Sequence, residues 1–213
     1  MRWIIAPRVV LAPTVVLLVS LAATGCGVHR KLKITEVQPN QVELYLDEPS
    51  DHRLNLTNMR YKWATNLSGA NPAGGEIDLS IAGELRGGQF LIIFEDGNHT
   101  GAPAARNFQP SIPGIVVQGG YFPSYGSTPG IAMGVSGKHR RGWVEDKVSD
   151  TVTFGAPPRP PAYGAFTQDN TLNSAKPSGS NSISRAFNGT AAVDDDRESD
   201  WSVRPQSPGA PSN

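Results

Sequence analysis

Leu32-Lys33-Ile34-Thr35-Glu36-Val37-Gln38-Pro39-Asn40-Gln41-Val42-Glu43-Leu44-Tyr45-Leu46 is the stretch that decides the fold. Leu32 and Ile34, and then Val42, Leu44 and Leu46, alternate with Lys33, Thr35, Glu43 and Tyr45. A period of two places every second side chain on one face of a strand. Pro39-Asn40 interrupts the run, since proline lacks a ladder donor and both residues favour turns. The stretch predicts two half-buried strands opening an all-β domain. Alternation resumes at Leu54 and Leu56 and runs through Met59, Tyr61 and Trp63, and the polar, glycine-rich residues 66–75 read as a loop. Residues 76–81 predict another strand. Gly87-Gly88 turns the chain into Gln89-Phe90-Leu91-Ile92-Ile93-Phe94, a continuous apolar run of the kind that forms a central strand covered on both faces. Phe90, Ile92 and Phe94 then share one face, and Leu91 and Ile93 the other.

Further along, residues 97–130 read as a loop-rich insertion with one strand at 114–118. Residues 131–135 and 147–154 read as the last strands. Four prolines among residues 156–161 exclude a central strand there. The segment 163–213 is polar, with Phe166, Ile183, Phe187 and Trp201 as its sizeable apolar groups. Composition alone reads as a trailing tail, but Ile183, Phe187 and Trp201 are spaced as isolated anchors, so the expectation is a C-terminal segment docked on the sandwich, ordered near 181–187 and 200–211 around a mobile middle. Arg185 is expected to pair with a carboxylate of the 194–200 run. Helical period is not sustained, which argues against helical and doubly wound domains.

The N-terminal residues 1–25 read as a secretory signal. Arg2 and Arg8 precede an apolar run over 9–22, shorter than a bilayer span, and Ala23-Thr24-Gly25 lead to Cys26, the one cysteine. Small residues followed by a single cysteine resemble the lipobox of bacterial lipoproteins, although Ala23 stands where leucine is usual. The resemblance implies a diacylglyceryl group on Cys26, a tether over 26–31 and membrane attachment through that lipid. An unmodified exposed thiol would be a liability in an exported protein. Gly27 is not the aspartate associated with inner-membrane retention, so the cell envelope, and its outer membrane where there is one, is the expected location. The whole chain carries 19 basic and 19 acidic residues; without Arg2 and Arg8 the balance is 17 to 19, a net charge of −2. That balance argues against bulk electrostatic binding of nucleic acid.

Several motifs together resemble the lamin-tail domain family in its exported bacterial form. They are Ile34-Thr35-Glu36-Val37 with Val42-Glu43-Leu44-Tyr45, the glycine pair before Gln89-Phe90-Leu91-Ile92-Ile93, and Asp150-Thr151-Val152-Thr153-Phe154-Gly155. The closing pieces are Ser182-Ile183-Ser184-Arg185, Gly189, Asp194-Asp195-Asp196, Asp200-Trp201 and Pro208-Gly209-Ala210-Pro211. At the family's glycine-tryptophan pair this chain has Asn58 and Met59; asparagine reaches left-handed angles and methionine fills core sites. The resemblance covers 32–213 and implies an immunoglobulin-like β-sandwich. It implies no single function, because this architecture hosts many.

Candidate chemistry is sparse. His29, His52, His99 and His139 lie far apart, without the short spacing of a zinc site. There is no Gly-x-Ser-x-Gly, and Gly134-Val135-Ser136-Gly137-Lys138-His139 lacks both the first glycine and the hydroxyl of a phosphate loop. Asp194, Asp195, Asp196, Glu198 and Asp200 are calcium candidates, but they lack the usual ligand spacing, and a solvated acidic loop is the competing reading. Lys138, Arg140 and Arg141 form a basic loop for phosphate, lipid head groups or polysaccharide, or are solvent-facing decoration. Tyr121, Phe122 and Tyr125 either stack on a glycan or protein partner or fold back to cap the sandwich. The expectation is a non-catalytic binding or display role with no cofactor. An accessory subunit of an exported hydrolase or nuclease, and a calcium-stabilised adhesion module, are the alternatives.

Overall fold

The hairpin expected around Pro39-Asn40 forms in a computed structural model, which describes residues 32–65, 74–125, 131–137, 147–154, 171–172, 176–195 and 197–211. Strands β1 (Leu32–Gln38) and β2 (Gln41–Leu46) pair antiparallel, with Leu32 opposite Leu46 and Gln38 opposite Gln41. There follow β3 (Arg53–Asn55), β4 (Met59–Thr65), β5 (Gly74–Asp78), β6 (Glu84–Arg86), β7 (Phe90–Asp96), β8 (Ala104–Ala105) and β9 (Gly114–Gln118). After these come β10 (Ile131–Gly137), β11 (Lys147–Phe154), β12 (Thr171–Leu172), β13 (Asn181–Arg185), β14 (Phe187–Asn188), β15 (Ala191–Ala192) and β16 (Trp201–Pro205). A seven-stranded sheet runs β16-β13-β1-β2-β7-β9-β8, and a five-stranded sheet runs β12-β11-β10-β4-β5. The fold is an all-β sandwich.

The main core lies between these sheets. Leu32, Ile34, Val37, Val42 and Leu44 of the large sheet meet Tyr61, Met133, Val135, Val152 and Phe154 of the small one, all at 1 % exposure or less. A bulge between Ile34 and Glu36 shifts the phase of β1, so Val37 points inward while Thr35 and Glu36 lie on the outer side with Glu43. At the entry to β4, Asn58 takes the left-handed angle expected of it, φ 65°.

Strand β7 is covered on both faces, as its continuous apolar run requires. Leu91 and Ile93 belong to the inner core, while Phe90, Ile92 and Phe94 join Tyr45, Val116 and Ala192 in a second core. Phe108 and Ile112, from the 97–113 loop, and Phe187 of β14 pack over that second core. The large sheet therefore has a covering layer of loops and a short hairpin opposite the small sheet.

Three expectations are corrected. The strand expected over 76–81 ends at Asp78, whose carboxylate accepts from the Ser80 amide (2.9 Å) and caps a 3₁₀ turn over Leu79–Ala82; Leu79 stays buried. The strands at 131–137 and 147–154 are not the last, because β13 and β16 extend the large sheet beyond β1. Glu36 stands opposite Ser184, and Arg185 opposite Trp201. Polar alternation hides these strands from a reading by hydrophobicity, while the open edge of β1 supplies their ladder. The expected mobile middle is the third correction: β14 and β15 form an ordered hairpin, and a 3₁₀ turn spans Glu198–Asp200.

Ile92 is fully buried in the second core, so Ile92→Ala should lower unfolding free energy by about 2–5 kcal/mol in urea denaturation. A loss under about 1 kcal/mol would mean that the outer cover is not packed on β7.

Candidate functional site

Arg185 shares the phase of Ile183 on β13 and therefore points into the sandwich, where it is 0 % exposed. Its Nη2 donates to both carboxylate oxygens of Asp150 on β11 (2.9 and 2.7 Å), and its Nε donates to the Ile34 carbonyl (3.0 Å). Nη1 donates to the Val193 carbonyl (3.2 Å) and to Asp194. The Trp201 ring lies 4.7 Å below the guanidinium carbon. Asp150 also accepts from the Ile34 amide (2.7 Å). Burial pushes the Asp150 carboxyl up to about 6 against the pull of the Arg185 charge. At Asp194 burial pushes upward too, but the Arg185 and Lys33 charges outweigh it and hold that carboxyl below its ordinary value. This cluster pins the two sheets together. The expected partner in the 194–200 run is Asp194; the Asp150 contact was not foreseen, because no local pattern links residues 35 positions apart.

The calcium expectation is corrected by the same contacts. Asp194 faces inward to Arg185 and to Lys33 (3.3 Å). Asp200 is buried and accepts from the amides of Asp195 (2.8 Å) and Arg197 (3.2 Å). Asp195 and Glu198 are exposed, and Asp196 lies outside the described residues. Among the described residues no three His, Cys, Asp or Glu side chains gather as a metal would need. Asp194 and Asp200 are turned to closing the chain on itself.

The aromatic loop also departs from a presented surface. Phe122 and Tyr125 are buried in the inner core, and Tyr121 packs against it half-buried. The Phe122 amide donates to Glu95 (2.7 Å), and Tyr125 meets Phe154 edge-on at 5.6 Å. Tyr121 meets Trp63 edge-on at 6.1 Å, and burial pushes its hydroxyl up to about 12. These rings cap the sandwich. Lys138, Arg140, Arg141 and Cys26 lie outside the described residues.

A feature that the sequence did not suggest stands at the end of the large sheet where β1 begins. A cleft of about 640 Å³ is lined by Tyr45, Asp47, Glu48, Pro49, Ser50, Gly87, Gly88, Phe90, Thr190 and Pro211. Its two walls are local consequences of tight turns. Gly88 donates to the Leu46 carbonyl (2.8 Å), Gly87 to the His52 carbonyl (3.0 Å) and His52 to the Pro49 carbonyl (2.9 Å). Gly87 must be glycine, since a Cβ would collide with the carbonyls of Glu48 and Pro49. Tyr45 meets Phe90 at 4.8 Å and Phe187 edge-on at 5.2 Å, and its hydroxyl donates to the Thr190 carbonyl (2.6 Å). Asp47 is braced by Lys33 (3.1 Å) and Glu48 by His52 Nδ1 (2.8 Å). Among the described residues no Lys, Arg or His lines the cleft, and Lys33 and His52 hold its two carboxylates from outside the lining. Rings, carboxylates, a hydroxyl and backbone groups suit a hydroxyl-rich ligand. Tyr45 sits at an alternation position that reads as solvent-facing, which hid the cleft.

The chain matches no family model, and no curated protein shows significant similarity to it.

Replacing Arg185 by Met leaves Asp150 buried without its cation and should cost about 3–5 kcal/mol in urea denaturation. The double change with Asp150→Leu should recover a large part of that loss, because the stranded charge is then gone. Equal destabilisation in the single and double variants would show that packing, not charge pairing, dominates at this junction.

Proposed function

We propose that this chain is a lipoprotein of the cell envelope, anchored through Cys26, whose lamin-tail-like sandwich is a non-catalytic glycan-binding domain. The observation that carries the binding reading is the cleft at Tyr45 and Phe90, framed by braced carboxylates. Asp47, Glu48 and Tyr45 each already hold a protein partner, which fixes the shape of the rim. Prefixed polar groups around aromatic rings suit recognition, where rigidity lowers the entropy lost on binding. The anchor reading rests on the apolar run and on Ala23-Thr24-Gly25-Cys26.

The two readings fit one geometry. Five residues separate Cys26 from Leu32, a reach of at most about 20 Å. Leu32 stands opposite Leu46, and the 47–50 wall of the cleft follows immediately. A lipid on Cys26 would hold the cleft close to the membrane surface, where envelope polysaccharide is anchored or enters.

Two experiments test the proposal separately. Cys26→Ala should move the protein from the membrane to the soluble exported fraction, or leave it unprocessed. A variant still processed and membrane-bound like the wild type would overturn the anchor. Screening the exported domain on a glycan array should give retained oligosaccharides whose affinity falls about tenfold in Glu48→Gln, the scale of one charged hydrogen bond. No retention, or equal retention by the variant, would overturn the binding site.

A further inference from the structure

The last residues described cross the outer face of the large sheet as a turn. Ser207-Pro208-Gly209-Ala210 closes through Ala210 N donating to the Ser207 carbonyl (3.2 Å), with Gly209 at φ 80°. Proline second and glycine third is the arrangement that such a turn demands. The turn presents its amides to two carboxylates that stand opposite each other, Glu36 on β1 and Glu43 on β2. Ser207 donates from its amide (3.1 Å) and its hydroxyl (3.3 Å) to Glu36. Gly209 donates from its amide to Glu43 (2.6 Å), whose other oxygen meets the Thr35 hydroxyl (2.6 Å). Both carboxylates are almost wholly buried, at 0 % and 1 % exposure. Gly209 is seated against Ile112, where a Cβ would collide with that side chain. Two residues beyond, Pro211 forms part of the cleft wall.

We propose that this C-terminal turn is a latch that stays closed while Glu43 holds its proton, lifts when Glu43 ionises, and thereby moves a wall of the cleft. The charged group bearing on Glu43 is Glu36, also a carboxylate, on the adjacent β1. The neighbour across β7 is Ile92, the turn contributes a backbone amide, and the 97–113 loop contributes Ile112 behind Gly209. No cation among these groups offsets a charge on Glu43. The Thr35 hydroxyl and the Gly209 amide each donate to one Glu43 oxygen, so both oxygens are satisfied in the closed form. As the anion Glu43 is buried beside Glu36, and water reaches it when the turn lifts.

The sign follows from burial, which outweighs the Thr35 and Gly209 donors that favour the anion and, with Glu36 beside it, pushes Glu43 from 4.5 up to about 8 in the closed form. A lifted turn returns it to its ordinary range. The advantage of the closed form is complete below the ordinary value, falls about tenfold per pH unit above it, and is exhausted once the pH passes about 8. The latch stands on the turn and the carboxyl pair alone; its effect on ligand rests on the binding reading of the cleft.

The test is pulsed hydrogen exchange of residues 206–211 in the full chain between pH 5 and 9, corrected for intrinsic chemistry. The carbon resonance of the Glu43 carboxyl is followed in parallel. Wild type should lose protection about tenfold per pH unit up to a midpoint near 8 and then level off. Glu43→Gln should hold protection flat over the whole range. Glu36→Gln, which removes the neighbouring negative charge, should move the midpoint to lower pH and serves if the first variant does not fold. Flat protection in the wild type, or an unchanged fall in Glu43→Gln, would overturn the latch. Glycan affinity measured alongside separates the two ideas. A working latch with no glycan bound overturns only the binding reading, and pH-independent affinity with a working latch overturns only the coupling.

Discussion

A guanidinium with no solvent access is the constraint on which this sandwich closes. Burying Arg185 would be prohibitive without partners, and its partners come from three separate places: β1, β11, and residues 193 and 194 of the segment before β16. Each must be in position for the others to be tolerated. The sheets, joined through Asp150 and Ile34, and the C-terminal strands, joined through Arg185 and Trp201, are therefore parts of a single closure rather than a core with an appended tail. The same cluster reaches the surface through Asp194 and Lys33 to Asp47, on the rim of the cleft. The rim is thus tied to the interior by a chain of charged contacts.

The second organising feature is a large sheet buried on both faces. Such a sheet usually reads as continuous apolar strands, and β7 does. Strands β1 and β2 do not, since Thr35, Glu36, Glu43 and Tyr45 point toward the cover. Each polar group there needs a partner, and the chain supplies them from distant segments. Ser207 and Gly209 serve the carboxylates, and Thr190 serves the Tyr45 hydroxyl. Where the described residues leave the cover incomplete, between the 47–50 loop, Gly87-Gly88, Thr190 and Pro211, the cleft remains. The proposed ligand site and the proposed latch are consequences of one circumstance, a polar outer face roofed by the end of the chain.

Period-two alternation and glycine punctuation determined the all-β class, the hairpin at Pro39-Asn40, the two-faced burial of β7 and the position of β9. These are legible because side-chain direction in a strand is a local property. The docking of the C-terminal segment through Ile183 and Trp201, and the Arg185–Asp194 pair, were legible only as isolated anchors and an unmatched charge. The tertiary structure alone decided the rest. It turned Asp194 and Asp200 from candidate ligands into internal braces, and it drew Phe122 and Tyr125 into the core. It joined Arg185 to Asp150, roofed Glu36 and Glu43 with Ser207 and Gly209, and left the cleft beside Tyr45. Whether a polar side chain meets water, a ligand or a distant part of its own chain depends on contacts far apart in sequence, and local periodicity carries no information about those.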